Sequence, residues 1–466
     1  MITEKKIDQK SIEILRRTMK GMGYLPDEAP YHTYSKSWNL NAQQHPALVV
    51  VASSAADIIA AVRFAKERNL GVGVMATGHG VGKPCDGGLL INTSRMRGVK
   101  VDPNLRTVKV EAGALWKDVI GAAHEHGLAT LAGSAPHVGV VGYTMGGGFG
   151  YLGRKYGLSA NSVTAAEVVT AEGKLVRASN HEHEELFWGL KGGGGNFGIV
   201  TSLEFRLYPI TNVFGGAVYY PAEHGRDVLA YFSQWTKDIP DEITAALAFM
   251  NVPDVPTAPP ILRGRSVVAI KGCYGGENLQ MGEQLFAPAR KLFKPVADTF
   301  ETMSVAAMDA ISKDPVDPMG ILQYGAMVRD LTPDAMKAIL NITGAPSPLL
   351  MVELRKLGGA LDKGVGDMKL MGAAKAQFTL NAVGPTVTSM MAEKVSAHLT
   401  RLAEATKPHV TGEVFLNLLE VDPAMERVRA AYTPQDWQQL VQLKTKFDPR
   451  NLFRFNRNIP PLQSGE

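Results

Sequence analysis

The first 200 residues alternate short apolar runs with helical patterns. The apolar run at 47–52 predicts a buried strand, and Ile58, Ala61 and Val62 then fall on one face of a helix that begins after Ser54. A second strand is predicted at 72–75. This order predicts a β-α-β unit, and the segment 74–88 forms the loop that leaves its second strand.

The rest of this half continues the β pattern. Three further short strands are predicted, at 88–93, 99–102 and 107–113. A helix is predicted over 115–126 with Leu115, Val119 and Ala122 on its apolar face. Residues 165–179 have the pattern of a hairpin that turns at Glu172 and Gly173, and an alternating strand is predicted over 199–207. Glycine becomes rarer after residue 208, so we expect a domain boundary at 208–215.

The distribution of glycine indicates where a ligand could bind. Many of the 48 glycines concentrate in three loops, at 78–88, 133–157 and 192–198. Glycine allows backbone N–H groups to approach a phosphate closely, although the same residues also suit tight turns. Three such loops favour one long ligand that contains a pyrophosphate. The G-x-G-x-x-G pattern at 148–153 lacks a preceding strand, so we do not expect a Rossmann site there.

Composition and charge exclude several classes of protein. The net charge is +4 without a block of lysine and arginine, which argues against nucleic acid as a partner. We expect no membrane span, because no run of about 18 apolar residues occurs. The N-terminus lacks the apolar core of a signal peptide, so we expect a cytoplasmic protein.

The cysteines and histidines do not predict a metal site. Cys85 and Cys273 exclude a disulfide framework and favour two free thiols, although one long-range disulfide stays open. The histidine pairs at 124/126 and 181/183 lie at predicted helix ends, and no further ligand is suitably spaced. His79 differs from them because glycines flank it on both sides in a loop that would face the phosphates. We therefore expect His79 to contact the ligand.

At these residues the chain resembles the berberine bridge enzyme-like FAD-linked oxidases of the vanillyl-alcohol oxidase superfamily, as a bacterial-type member. TGHG at 77–80 is similar to the loop that attaches the flavin, and GSAPHVGVVGYTMGGGFGYLGRKYGLSANSV at 133–163 to the long flavin loop. LFWGLKGGGGNFGIVTSLEFRL at 186–207, VELRKLGGAL at 352–361 and KTKFDPRNLFRFNRNIPP at 444–461 resemble further family segments in the same order.

The resemblance implies an α+β fold in four parts. A helical lead-in at 1–40 would precede a PCMH-type FAD-binding domain of two subdomains at 41–212. A substrate domain of sheet and helices would follow at 213–425. The segment 426–466 would return to the FAD-binding domain.

The resemblance also implies how FAD is held. His79 falls on the histidine that bonds to the flavin 8α-methyl group, and the cysteine of a second attachment is Ala135 here, so we expect one covalent bond only. Met75 stands where the family has an arginine. The implied cofactor-binding residues are Met75, Ala76, Thr77, Gly78, His79, Gly80, Gly133, Ser134, Pro136, Gly139, Gly142, Tyr143, Gly146, Gly147, Gly148, Phe149, Gly150, Gly198, Ile199, Val200, Asn456 and Asn458.

The implied reaction is hydride transfer from a small alcohol, sugar or amine to flavin N5, with O2 as acceptor. Val138 occupies the position where a small residue admits oxygen, which favours an oxidase. The alternatives are a dehydrogenase or an oxidative cyclase with another acceptor, or a flavin-binding protein without turnover. Neither the substrate nor the oligomeric state follows from the sequence.

The catalytic base is the least determined residue. A tyrosine that often assists deprotonation in the family is Phe415 here, so the base must lie elsewhere. Glu353 is the first candidate, although it could instead be a structural partner of Arg355, two residues along the same strand. The other candidates come from the flavin loop: His137, Tyr143 and Tyr151.

Overall fold

The computed structural model describes residues 7–344, 346–363, 375–419 and 427–462. Within these ranges the strands form three sheets. The first sheet contains β1 (Met22–Tyr24), β2 (Leu48–Val51), β3 (Val72–Met75) and β4 (Leu89–Asn92), in the order β1-β2-β4-β3. Strands β2, β4 and β3 are parallel, as the predicted β-α-β unit requires. Three helices accompany this sheet: α1 (Gln9–Thr18), α2 (Ala29–Ser35) and α3 (Ala55–Glu67).

The second sheet is antiparallel and has the order β5-β6-β9-β7-β8. Its strands are β5 (Val99–Asp102), β6 (Thr107–Glu111), β7 (Val163–Val169), β8 (Leu175–Ser179) and β9 (Ile199–Arg206). The predicted hairpin is confirmed as β7 and β8, with Gly173 at φ +67° in its turn. The helices of this part are α4 (Trp116–His124), α5 (Val140–Met145), α6 (Gly153–Tyr156), α7 (Ser159–Ser162) and α8 (Glu184–Gly193).

One local prediction for this part needs correction. Helix α4 buries Trp116, Val119 and Ala123, so the predicted face with Leu115 and Ala122 is wrong by one position at each end. The bulky indole of Trp116 decides the orientation, because it packs edge-on against Phe205 of β9. The glycine-rich segment 133–157 contains the two short helices α5 and α6.

The third sheet is formed by residues after 208, where glycine becomes rarer in the sequence. It is antiparallel, with the order β13-β10-β12-β11-β16-β17-β15, and β14 pairs with β10. Its strands are β10 (Asn212–Pro221), β11 (Ile243–Asn251), β12 (Ser266–Tyr274), β13 (Ala297–Asp298), β14 (Glu301–Ser304), β15 (Ile321–Val328), β16 (Met351–Lys356) and β17 (Phe378–Pro385). Its helices are α9 (Gly225–Trp235), α10 (Leu279–Phe286), α11 (Pro333–Thr343), α12 (Ala360–Lys363) and α13 (Ser389–Thr406).

The pleat of this sheet separates a helix-covered face from an open one. Val352 and Leu354 of β16 and Leu380 of β17 belong to one core with residues of α9, α11 and α13. Alternate residues point to the opposite face because side chains alternate along a strand. That opposite face is free to line a site.

The C-terminal segment packs against the second sheet and its helices. Helix α14 (Pro434–Phe447) places Leu440 and Leu443 in the core formed with α8. Its Lys444 is fully buried and donates hydrogen bonds to the carboxylate of Asp448 (2.7 Å) and to the carbonyl oxygens of Asn196 and Phe453. The chain then bonds to the first sheet, where Val72 N–H donates to the carbonyl of Leu452.

The molecule is a mixed α+β protein, as expected. The boundaries of the four predicted parts stay a prediction. None of the helices in the described ranges has both the length and the apolar character that crossing a bilayer requires.

Candidate active site

A cavity of about 420 Å³ is lined by residues from all three sheets. From the first sheet come Val72–Met75 and the loop that follows at 76–81. This is the carboxyl end of a parallel strand, where open α/β sheets bind ligands. The segment 193–200 contributes from the second sheet, and β16 and β17 contribute from the third. Phe455, Asn456 and Arg457 of the C-terminal segment complete the wall.

His79 lies in this cavity with one nitrogen satisfied and one not. Nδ1 is 2.8 Å from the hydroxyl oxygen of Thr77. Nε2 is buried and has no hydrogen-bond partner. Burial lowers the pKa of His79 to about 3, with a further contribution from His137. The imidazole is therefore neutral at ordinary pH, with a lone pair available on one nitrogen.

Glycines bring the backbone close to the cavity at several points. Gly142 and Gly194 both line it, and a Cβ added to either would meet no atom within 4 Å. Gly194 also has φ +64°, a conformation that favours glycine. Their missing side chains leave space on the cavity side, where a ligand can contact the backbone directly.

Other predicted glycines have a different physical reason. A Cβ at Gly150 would lie 1.8 Å from the carbonyl oxygen of Ala132, and one at Gly148 would lie 2.5 Å from the ring of Tyr143. At Gly147 it would lie 2.8 Å from the ring of Phe415. These glycines permit close packing behind the cavity wall.

The third sheet presents a polar surface to the cavity. Glu353 and Arg355 of β16 and Thr379 and Asn381 of β17 all line it. Register pairs Glu353 with Asn381 and Arg355 with Thr379, so the four side chains share one face of neighbouring strands. The Oδ1 atom of Asn381 is buried and has no hydrogen-bond partner.

Glu353 is held between two cations. Its carboxylate lies 2.6 Å from Lys271 Nζ and 2.8 Å from Arg355 Nη2, so the predicted pairing with Arg355 is present. Burial alone would raise the pKa of Glu353, but Arg355 and Lys271 outweigh burial and lower it to about 2. In return, Glu353 raises the pKa of Lys271 against the effect of burial. The three side chains are therefore all ionised at ordinary pH and form a charged triad at the cavity wall.

The remaining catalytic candidates lie at different depths. Tyr143 lines the cavity, its hydroxyl is buried without a partner, and burial raises its pKa. Tyr151 lies behind the wall, where its hydroxyl is 2.7 Å from Ser312 Oγ. His137 does not line the cavity, but its ring lies 5.1 Å from that of His79. Val138 does line it.

Most of the predicted cofactor residues line this one cavity. The cofactor candidates in the wall are Met75, Ala76, Thr77, Gly78, His79, Gly80, Gly133, Ser134, Gly139, Gly142, Tyr143, Gly146, Phe149, Gly198, Ile199, Val200 and Asn456. Those outside it are Pro136, Gly147, Gly148, Gly150 and Asn458. For both groups the contact with FAD stays a prediction.

Several residues of the site were not found from the sequence. Thr379 and Asn381 lie on a strand with no motif, and only its register against β16 brings them to the cavity. Lys271 comes from β12, two strands away from β16. Arg457 lies between the two asparagines that were chosen, and it donates a hydrogen bond to the carbonyl of Gly80 at 2.6 Å.

The cavity fits a large polar ligand such as FAD. His79, Tyr143 and Asn381 each present a buried polar atom without a protein partner, although buried polar atoms are normally hydrogen-bonded. Open glycine backbone at Gly142 and Gly194 adds room for close approach. Among the described residues, no group of three His, Cys, Asp or Glu side chains is placed to hold a metal ion.

Fold and site together define an FAD-binding protein, and comparison with known families agrees. Residues 46–179 match the model of the FAD binding domain, and residues 414–460 match the model named berberine and berberine like. The chain thus contains an FAD-binding domain and a C-terminal segment similar to the berberine bridge enzymes, and it is an FAD-dependent oxidoreductase.

Individual relatives are similar to this protein along nearly the whole chain. An FAD-linked oxidoreductase of Dictyostelium discoideum is 28% identical over 438 residues, which cover 92% of each chain. The (R)-6-hydroxynicotine oxidase of Paenarthrobacter nicotinovorans is 27% identical and covers 95% of this chain and 97% of its own. The solved structure of Physcomitrella patens BBE-like 1 has the same fold, with a TM-score of 0.85 at 20% identity, covering 97% of this chain and 99% of that one.

A substitution at Gly142 tests whether FAD occupies this cavity. In Gly142→Leu the new side chain projects into the open space, and overpacking of about 1–3 kcal/mol corresponds to about 5–150-fold weaker binding. The ratio of flavin to protein absorbance in the purified protein measures the loss. Gly121→Leu is the matched control, because Gly121 also lies in a helix with open space around it but outside the cavity. Equal flavin content in the two variants would contradict the assignment.

Proposed function

We propose that this chain is an FAD-dependent oxidase whose cofactor is attached through Nε2 of His79 alone. The observation that carries the proposal is a neutral imidazole with a buried, unpartnered nitrogen in a glycine-lined cavity. Nδ1 already has Thr77 as a neighbour, so Nε2 is the nitrogen that remains to form a bond.

Attachment at a single point is supported by what surrounds the cavity. Ala135 stands where a second, cysteinyl attachment would require a thiol. Cys85 and Cys273 are both free and buried, and neither lines the cavity. Burial raises the pKa of both thiols to about 12, so neither is a ready nucleophile.

When bound, FAD supplies the redox chemistry by accepting a hydride at N5 and passing two electrons to O2. The polar face of β16 and β17 then provides the substrate side, where Asn381 Oδ1 accepts a hydrogen bond from a hydroxyl or amine. Val138 contributes a small apolar side chain to the same wall. That supports access of oxygen and therefore an oxidase.

Glu353 stays our candidate for the proton acceptor, in a more limited role. A carboxylate with a pKa of about 2 is a weak base toward a resting alcohol. The O–H proton becomes strongly acidic once hydride leaves its carbon, so the carboxylate can accept it at that stage. Lys271 and Arg355 meanwhile keep the carboxylate ionised and oriented.

A reduction screen tests the proposed class of reaction. Cyclic amines enter it because of the relative named (R)-6-hydroxynicotine oxidase, and secondary alcohols and sugars complete it. We expect anaerobic addition of one class to bleach the oxidised-flavin absorbance, and air to restore it with release of hydrogen peroxide. Slow recovery in air would favour a dehydrogenase or a cyclase. No bleaching by any compound would favour a flavin-binding protein without turnover.

The next prediction concerns the proposed covalent bond between His79 and the flavin. Wild-type protein should keep flavin fluorescence after acid precipitation and denaturing electrophoresis, whereas His79→Ala should release all of its flavin because no other nucleophile lines the same position. His137→Ala is the control, since its ring lies beside His79 without lining the cavity. Retention of flavin by the His79 variant would refute the histidyl bond.

The pH dependence tests the role of Glu353. Because its pKa is lowered from 4.5, the carboxylate stays ionised as pH falls and protonates only near pH 2. We therefore expect that kcat/KM for the best substrate does not fall with a midpoint near pH 4.5, where an ordinary glutamate would protonate. Lys271→Met removes one cation while burial remains, so the acid limb should move to higher pH. Lys313→Met, which removes an exposed charge, should leave the profile unchanged.

A further inference from the structure

Trp38 is the neighbour that most restricts the ring of His79. The two rings stack with their centroids 4.5 Å apart and their planes 16° apart. Trp38 precedes the first β-α-β unit, and it lies outside the flavin loops described above although it contacts them. Its contact with His79 therefore needs a separate explanation.

The indole is held in place independently of His79. Its Nε1–H donates a hydrogen bond of 2.9 Å to the carbonyl of Val316. Its backbone N–H donates to the carbonyl of Thr77, and its carbonyl accepts from the N–H of Met319. Trp38 is thus a fixed plane that joins the His79 loop to the segment before β15.

Two contacts together leave the imidazole little freedom. Stacking on Trp38 fixes the plane of the ring, and the contact of Nδ1 with Thr77 fixes its rotation within that plane. The lone pair of Nε2 lies in the ring plane, so stacking of Trp38 on a ring face does not cover it.

We infer that Trp38 is the positioning residue that holds the His79 imidazole in the plane from which Nε2 bonds to the flavin 8α carbon. The inference rests on the proposed attachment through His79. In the overall step an Nε2–C8α bond forms, one C8α–H bond and one imidazole N–H bond break, and O2 takes up both protons and two electrons as hydrogen peroxide. Trp38 takes no part in this exchange of atoms.

The test compares three apolar replacements of Trp38, one planar and two non-planar. Trp38→Phe keeps a flat ring that can stack on His79, whereas Trp38→Leu and Trp38→Met do not. The full-length proteins are produced in riboflavin-starved cells and mixed with FAD in air. Acid-precipitated flavin fluorescence then gives the rate of attachment, and quenching of free FAD fluorescence gives binding before attachment. Trp235→Leu, at a partly buried tryptophan of the substrate side that does not line the cavity, is the matched control.

We expect the leucine and methionine variants to bind FAD as the wild type does but to attach it about tenfold more slowly or worse, because small errors of orientation are costly in bond formation. The phenylalanine variant and the Trp235 control should attach it at the wild-type rate. Equal rates in the planar and non-planar variants would overturn the inference. So would loss of folding or of FAD binding in both non-planar variants, because Trp38 would then be a structural residue.

Failure of the underlying proposal gives a different result. If wild-type protein binds FAD without attaching it, or if His79→Ala attaches it, the histidyl bond itself is wrong, and the inference about Trp38 falls with it. If wild type attaches FAD through His79 and Trp38→Leu does so equally fast, only the positioning role is wrong.

Discussion

The ion pair of Lys444 and Asp448 holds the cofactor side of the cavity together, although it lies outside the cavity. Both side chains are fully buried, and Lys444 also reaches the carbonyls of Asn196 and Phe453, which belong to the cavity wall. Removing one partner of such a pair costs about 3–5 kcal/mol, because the other charge stays buried and unpaired. The glycine segment and the C-terminal segment are therefore fixed by one charge that no ligand touches.

A second set of buried charges stabilises the wall that we propose for the substrate. Lys271, Glu353 and Arg355 carry two positive charges and one negative charge at the wall formed by the third sheet. The pleat places Glu353 and Arg355 on the same face of the sheet. Lys271 of β12 lies on that face as well, because the strand register across β11 aligns it with Arg355. The carboxylate of this triad stays ionised at ordinary pH, and it cannot move without separating buried charges. Its rigidity suits a wall that orients a substrate.

Whether a feature could be predicted from the sequence depends on how far apart along the chain its interacting residues lie. The β-α-β unit and the hairpin at 165–179 depend on local periodicity and turn residues, and both were predicted correctly. His79 was found because its flanking glycines are local as well. Asn381 and Trp38 were missed, because their contacts depend on strand register and on a packing partner more than 40 residues away. The orientation of α4 failed for a similar reason, since the packing of Trp116 on another strand determines it.

The surroundings of His79 reconcile two opposing requirements that follow from the proposed bond to the flavin. The nitrogen must be neutral to act as a nucleophile, and burial achieves this by lowering the pKa to about 3. Burial would normally also satisfy both nitrogens with hydrogen-bond partners, and a satisfied nitrogen would be unavailable. Here Thr77 occupies Nδ1 while Trp38 covers a face that offers no hydrogen bond, so the ring is buried and held although Nε2 stays free. An apolar stacking partner achieves what a polar one could not.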